Sequence, residues 1–281
     1  MASKQKKKKS KAPQPKPAHP ARRGLSLGVI TAIVVAILVG QNMRTEAKVP
    51  QYDYRIVDKM PHDPDAFTQG LVYLDGIFFE STGVRGQSSL RRVDPKSGEV
   101  LKKRDLDQPY FGEGLTFFKG VLVQLTYKEG KAFVYDSETF EPLSEFSYDG
   151  EGWGLTHDNH HFIMSDGTDT LQFRDTTDFS IKRTIKVREE GRPVFQLNEL
   201  EYIKDEIWAN VWQRKHILRI SPKDGQVLGR INLRRFPPSE DRTGDEDSLN
   251  GIAFDAASNR LFITGKYYAN IYQIELVDQE D

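Results

Sequence analysis

The chain of 281 residues is 37% hydrophobic and 29% charged and has no cysteine, which allows one core of ordinary size and excludes thiol catalysis and disulfide stapling. Its formal net charge of −1 hides a split: residues 1–23 hold nine of the 40 Lys and Arg and no acid, leaving 31 basic against 41 acidic residues in the remainder. A body with that balance is a poor general binder of nucleic acid, whose affinity rests on neutralising phosphates.

In chain order, residues 1–23, with Lys6 to Lys9 and Pro13, Pro15, Pro17 and Pro20, predict a basic disordered tail, because almost nothing apolar is present to offset the entropy of ordering it. Residues 24–43 carry no charge, and Leu25 to Val39 is nearly continuous Leu, Ile, Val, Ala and Gly. At about 1.5 Å per residue that length crosses roughly 30 Å of hydrocarbon. With the positive charges upstream it predicts a membrane signal anchor, or a signal peptide, that puts the body on the extracytoplasmic side (the periplasm in a bacterium), or secretes it if cleaved. Residues 44–53 then form a tether.

From Leu71 onward one skeleton of short strands and turns recurs, starting at Leu71, Leu115, Leu155, Leu200 and Ile252, at intervals of 44, 40, 45 and 52 residues. Such a period matches the four-strand unit of a β-propeller blade, whose sheet buries its faces only when packed against its neighbours. Asp75-Gly76 marks the hairpin of the first unit. The fifth unit reaches the C-terminus after three strands, and Tyr54 to Met60 has the composition to supply the missing outer strand and close the ring. The expected fold is therefore all-β: a five-bladed β-propeller over residues 54–281, one domain closed by an N-terminal strand, and a monomer is expected. Arg234 to Leu249 is expected as a surface excursion between units four and five. Its acidic run, Asp245, Glu246 and Asp247, fits a solvated surface better than a calcium loop.

The residues two positions before each unit start are Gln69, Glu113, Trp153, Asn198 and Asn250, and Gly follows four of them, as close backbone approach requires. In a propeller these positions line one mouth of the central channel. A carboxylate, an indole and three amides there either hydrogen-bond one another as a plug or orient a small polar group beside an apolar wall. Phe67, Tyr110, Phe111 and Trp153 at the leading loops, and Trp212 after the inner hairpin of unit four, favour a substrate box, whereas Trp208 reads as core. The histidines His62, His157, His160, His161 and His216 show no metal-ligand spacing, and no phosphate loop, dinucleotide fingerprint or nucleophile elbow is present.

The segments "DPDAFTQGL", "YFGEGLT", "GWGLT", "LNELEY" with "WANVW", and "LNGIAF" with "LFITGK" together resemble the glutamine cyclotransferase family of plant and bacterial glutaminyl-peptide cyclotransferases, over Tyr54 to Leu276. The resemblance implies a five-bladed propeller, with no essential catalytic metal or other cofactor, acting on peptides or proteins with N-terminal glutamine and closing that residue to pyroglutamate with loss of ammonia. Glu113 in "GEG" matches the family's catalytic glutamate. Phe67 and Gln69 in "FTQG", Trp153 in "GWG", Asn198 in "LNELEY", Trp212 in "NVW" and Lys266 in "TGK" match its substrate pocket. Asn250 joins the set from the repeat alone. Two other readings of such a platform are a non-catalytic peptide receptor and a calcium-dependent, lactonase-like propeller; an RNA role for the basic tail is a distant third.

Overall fold

Alternating apolar runs become antiparallel strands throughout the described part of the chain, residues 48–278 together with the isolated Gln14, in the computed structural model. After β1 (Gln51–Pro61) come β2 (Thr68–Leu74), β3 (Ile77–Thr82), β4 (Ser89–Val93) and β5 (Val100–Asp105). The second sheet holds β6 (Gly112–Phe118), β7 (Val121–Thr126), β8 (Lys131–Asp136) and β9 (Pro142–Ser147), and the third β10 (Leu155–His157), β11 (His161–Ser165), β12 (Thr170–Asp175) and β13 (Ile181–Lys186). A short hairpin, β14 (Arg188–Glu189) and β15 (Arg192–Pro193), precedes β16 (Leu197–Ile203), β17 (Glu206–Val211), β18 (His216–Ile220) and β19 (Val227–Asn232). The last strands are β20 (Leu249–Asp255), β21 (Arg260–Gly265) and β22 (Asn270–Asp278). The all-β expectation holds: these are small antiparallel sheets plus one sheet of eight strands.

Local chemistry sets the hairpins. Asp75-Gly76 turns β2 into β3 with φ of 48° and 86°, and Lys119-Gly120 turns β6 into β7 with φ of 49° and 89°, the left-handed pair that matches the twist of the flanking strands. Packing sets the order of the sheets. Strands β2, β6, β10, β16 and β20 touch one another in cyclic sequence, and each unit-start residue is buried against the sheet before it. Leu115 packs with Phe79 and Leu90, Leu155 with Val123 and Leu125, Leu200 with Phe173, Ile252 with Ile217 and Ile231, and Leu71 with Phe262. Each such burial contributes about 1.5–3 kcal/mol.

The strand expected at Tyr54–Met60 is longer and has two partners. β1 runs antiparallel to β22 from the Tyr52–Asp278 pair to Pro61–Asn270 and meets β19 in parallel at Gln51–Arg230 and Tyr52–Ile231, which makes one sheet of the last two units. Of the tether expected at residues 44–53, the first four lie outside the described residues; in the rest Val49 is buried in the core around Leu200, and Gln51 onward is strand.

Two further expectations need correction. Arg234 to Leu249 is not only a surface excursion, because Phe236 is fully buried and stacks edge-on against Tyr54 and Tyr272; composition conceals one aromatic anchor among charged neighbours. The membrane segment at residues 24–43 and the tail at residues 1–23 lie outside the described residues. Among the described residues no helix is long and apolar enough to cross a membrane, so neither a transmembrane signal anchor nor a membrane-anchored, extracytoplasmic body has support in the structure.

Candidate active site

The inner strands begin with bulges, and the bulges aim the site. Ladder pairing slips between Thr68 and Gly70 in β2, Gly112 and Leu115 in β6, Leu197 and Leu200 in β16, and Leu249 and Ile252 in β20. Gln69, Glu113, Asn198 and Asn250 fall inside those interruptions, where an unpaired extra residue re-directs its side chain. The glycine that follows is a packing requirement: a Cβ on Gly70 would come within 2.5 Å of the Leu115 nitrogen, and one on Gly114 within 2.5 Å of the Leu155 nitrogen.

Unit four has Glu199 at this glycine position. Its Oε2 accepts the Ile252 amide at 2.9 Å. Two residues on, Glu201 Oε1 accepts the Phe254 amide at 3.2 Å. The inner strands do not pair with one another, and these carboxyls satisfy amides that the edge of β20 would leave bare. Burial raises both, Glu199 well above the carboxyl range and Glu201 to about 8. Glu201 keeps some solvent contact, which discounts its shift. Plug and site therefore coexist, on different residues.

A cavity of about 210 Å³ is lined by Phe67, Gln69, Phe111, Glu113, Tyr127, Trp153, Asn198, Trp212, Asp247 and Lys266. Seven sequence-predicted residues meet there; Asn250 does not. Asn250 is fully buried beneath Gln69, its Nδ2 donating to the Thr68 carbonyl and to Gln69 Oε1, both at 3.0 Å. Phe111, expected among the leading-loop aromatics, lines it too. Tyr127 and Asp247 are additions to the predicted set, and Asp247, expected as part of a solvated run, is exposed yet forms the cavity wall. Tyr110 turns away to pack edge-on against Phe133. A larger cavity of about 990 Å³ lies nearby without a buried carboxylate in its wall; the smaller one has Glu113 in its wall.

Its walls are aromatic. The Trp153 and Trp212 rings sit 5.8 Å apart at 88°, Phe67 packs edge-on to Phe111 at 5.9 Å, and Lys266 Nζ stands 4.4 Å over the Phe67 ring, a cation–π contact. Glu151 Oε2 accepts the Trp153 indole N–H at 3.0 Å and fixes that ring. Glu113 is 4% exposed, and Gln69 Nε2 donates to its Oε1 at 2.9 Å. Burial raises the Glu113 carboxyl well above its usual range; the Lys266 charge opposes this, and Glu129 and Glu151 add to it. Burial in turn lowers Lys266, against the pull of Glu113 and Asp247. Asn198 Oδ1 meets no donor among the described residues.

This geometry, a single desolvated carboxyl facing a lysine inside an indole-walled cavity the size of one side chain, coincides with what the comparisons find. The glutamine cyclotransferase family model matches residues 29–276. The chain belongs to the glutamine cyclotransferase family. Membership begins earlier than the segment from Tyr54 carrying the resemblance, since the match starts at residue 29. Within the family, the Arabidopsis thaliana glutaminyl-peptide cyclotransferase is 44% identical over 228 residues, 80% of this chain and 71% of that protein. The crystal structure of Myxococcus xanthus glutaminyl cyclase superposes with a TM-score of 0.78 at 34% identity, over 83% of this chain and all of that one.

Proposed function

We propose that the cavity around Glu113 is where this chain carries out its reaction. The chain is a glutaminyl-peptide cyclotransferase: it closes N-terminal glutamine of peptides or proteins to pyroglutamate and releases ammonia. The architecture that supports the site is a five-bladed β-propeller closed by β1, with residues 54–281 as one catalytic domain. Cyclic contact of five inner strands and the double pairing of β1 support that reading.

In the reaction the α-amine nitrogen of the substrate bonds to its own side-chain amide carbon, and the bond from that carbon to the amide nitrogen breaks. The reacting atoms are already tethered, so the aromatic walls mainly hold the side chain folded for attack. Glu113 takes the proton from the attacking amine and returns it to the departing nitrogen, which leaves as ammonia. A carboxyl raised by burial suits both halves of that transfer near neutral pH.

The Asn250 to Gln69 chain decides which oxygen does this. A backbone carbonyl only accepts, so the Thr68 carbonyl fixes the Asn250 amide with its NH2 toward Gln69. The Gln69 oxygen is then occupied, and its NH2 faces Glu113 Oε1. Oε1 is thus held as an acceptor, and Oε2 carries the proton. Asn250 acts through Gln69 and is a positioning residue. In this reading Lys266 stabilises the charge that develops on the amide oxygen, and the uncommitted Asn198 amide orients the substrate.

The observation that carries this reading is the buried, singly bonded Glu113 between Gln69 and Lys266. Ammonia release from a Gln-initiated dipeptide, with and without chelator, tests it. Binding of that dipeptide without ammonia would mean a receptor, and loss of turnover with chelator would favour the metal-dependent alternative.

A further inference from the structure

The small cavity does not end at its own rim. Asp247 lines both it and a second depression of about 490 Å³. Gln213, Arg214 and Lys215 line that depression and also the large cavity of about 990 Å³. Trp212, the residue before Gln213, is a wall of the catalytic cavity. The β17–β18 turn therefore borders all three spaces, and a chain leaving the catalytic cavity past Asp247 passes along it.

The charge of the far space runs against that of the chain around it, where 41 acidic residues outnumber 31 basic ones beyond residue 23. Arg214, Lys215, Arg230 and Arg234 all line the large cavity. Arg230 is paired with Glu189, whereas Arg214, Lys215 and Arg234 are exposed and enter no ion pair among the described residues. His216 sits among them with its pKa lowered to about 4, first by burial and then by Arg230, Arg214 and Arg234, so it stays neutral and leaves the arginines and lysine to set the field. Like charges gathered on a concave wall focus potential outward and draw in the opposite sign. Phe195, 57% exposed at the same wall, adds an apolar contact beside them.

We propose that this run of depressions is the track of the substrate chain beyond its N-terminal glutamine, and that the basic cavity at its end selects peptides with acidic residues there. The proposal rests on the Glu113 cavity being the reaction site. Carboxylates arriving in the cavity meet Arg214, Lys215 and Arg234, which have no ion-pair partner among the described residues to displace, and the contact acts on substrate capture rather than on the proton transfer.

The test is a series of Gln-initiated peptides in which a Glu-Glu-Glu, Lys-Lys-Lys or Ser-Ser-Ser cassette is stepped away from the glutamine by Gly-Ser spacers, read by ammonia release. Three exposed ion pairs together are expected to give about a tenfold advantage in kcat/KM to the Glu peptides at one range of spacings. The advantage should lie in KM and fade as salt is raised. The charge-reversed variant K215E/R234E should shift the Glu-to-Lys ratio toward Lys, and because that ratio is taken within each enzyme, a loss of folded protein cancels. Equal kcat/KM for the Glu and Lys series at every spacing in the wild-type enzyme overturns the proposal whatever the variant does. Failure to release ammonia from a Gln dipeptide would instead remove the reaction site itself.

Discussion

Glu80 and Glu113 lie on strands of neighbouring sheets and are 1% and 4% exposed, yet their surroundings set them to opposite tasks. Glu80 Oε1 is bonded by His62 Nε2 at 2.8 Å and Thr68 Oγ1 at 2.7 Å, and Arg91 stands 3.8 Å from Oε2. His62 Nδ1 meets the Tyr268 carbonyl at 2.6 Å, so both ring nitrogens donate and the imidazole is cationic. Burial alone would neutralise the pair; Glu80 is nevertheless lowered and His62 raised, each by the other. Glu113 has one amide donor and a lysine across a cavity, and it is raised. Burial costs a carboxylate its charge unless opposite charge and donors offset it, and the cavity withholds the partners that the His62 cluster supplies to Glu80 Oε1.

The largest effect expected is on chemistry. Glu113→Gln keeps the shape and the Gln69 contact but cannot exchange a proton, so ammonia release should fall by about 10²- to 10⁴-fold. Its urea midpoint at neutral pH should not drop, because a poorly paired buried acid has been neutralised. Full turnover by a folded E113Q protein would end the distinction between the two carboxyls.

Next in size is the loss of a partner on the structural side. His62→Ala leaves Glu80 buried with less of its compensation and should cost about 3–5 kcal/mol in urea unfolding, with kcat per folded molecule little changed. A stability loss below about 1 kcal/mol would show that the cluster around Glu80 is not holding its charge.

Stability against pH sharpens the same contrast. Glu80 is lowered, so its contribution is present above the usual carboxyl range and lost as pH falls through its folded value. Glu113, Glu199 and Glu201 are raised, so theirs is present below that range and lost as pH rises, for Glu201 through about 8. His62, also raised, contributes below about 6.5 and loses it on further rise. Wild type should therefore weaken between pH 5 and 9, and Glu201→Gln should flatten that decline by a few kcal/mol at most; an unchanged slope would mean that Glu201 is ionised in the fold. For turnover the proposed role of Glu113 reverses the sign: a proton-accepting Glu113 must start as its base form, so kcat/KM should fall as pH drops below its raised pKa.

Much of this site was legible because the repeat fixes registers. Two positions before each unit start lie Gln69, Glu113, Trp153 and Asn198; four positions before lie Phe67 and Phe111, together with Glu151, which fixes the Trp153 ring. The residue after each second strand gives Tyr127, Trp212 and Lys266. Tyr127 could have been found by carrying the Trp212 register back two units. Asp247 could not: it belongs to the irregular stretch whose path depends on the burial of Phe236, and no period reaches it. His62 looked idle because its partners, Glu80 and the Tyr268 carbonyl, are 18 and 206 residues away. Asn250 had the right register yet does not line the cavity, since only its bond to the Thr68 carbonyl reveals that it faces beneath Gln69.

That buried amide provides the smallest and most specific test. Asn250→Ser removes the donor that holds the Gln69 oxygen, and the Gln69 amide is then free to turn its oxygen toward Glu113. In that orientation Oε1 can carry the proton, the carboxyl loses its hydrogen bond as an anion, and its pKa should rise further. Turnover should fall by about tenfold, the worth of one neutral hydrogen bond, with the acid limb of kcat/KM moved to higher pH and KM for a Gln dipeptide nearly constant. Gln69→Leu should move the limb in the same direction and further, and adding N250S to it should change nothing more, because Asn250 acts only through Gln69. Independent, additive losses from the two substitutions would mean that Asn250 holds the strand and not the amide, and Glu113 would then select its proton-carrying oxygen by some contact other than this chain of donors.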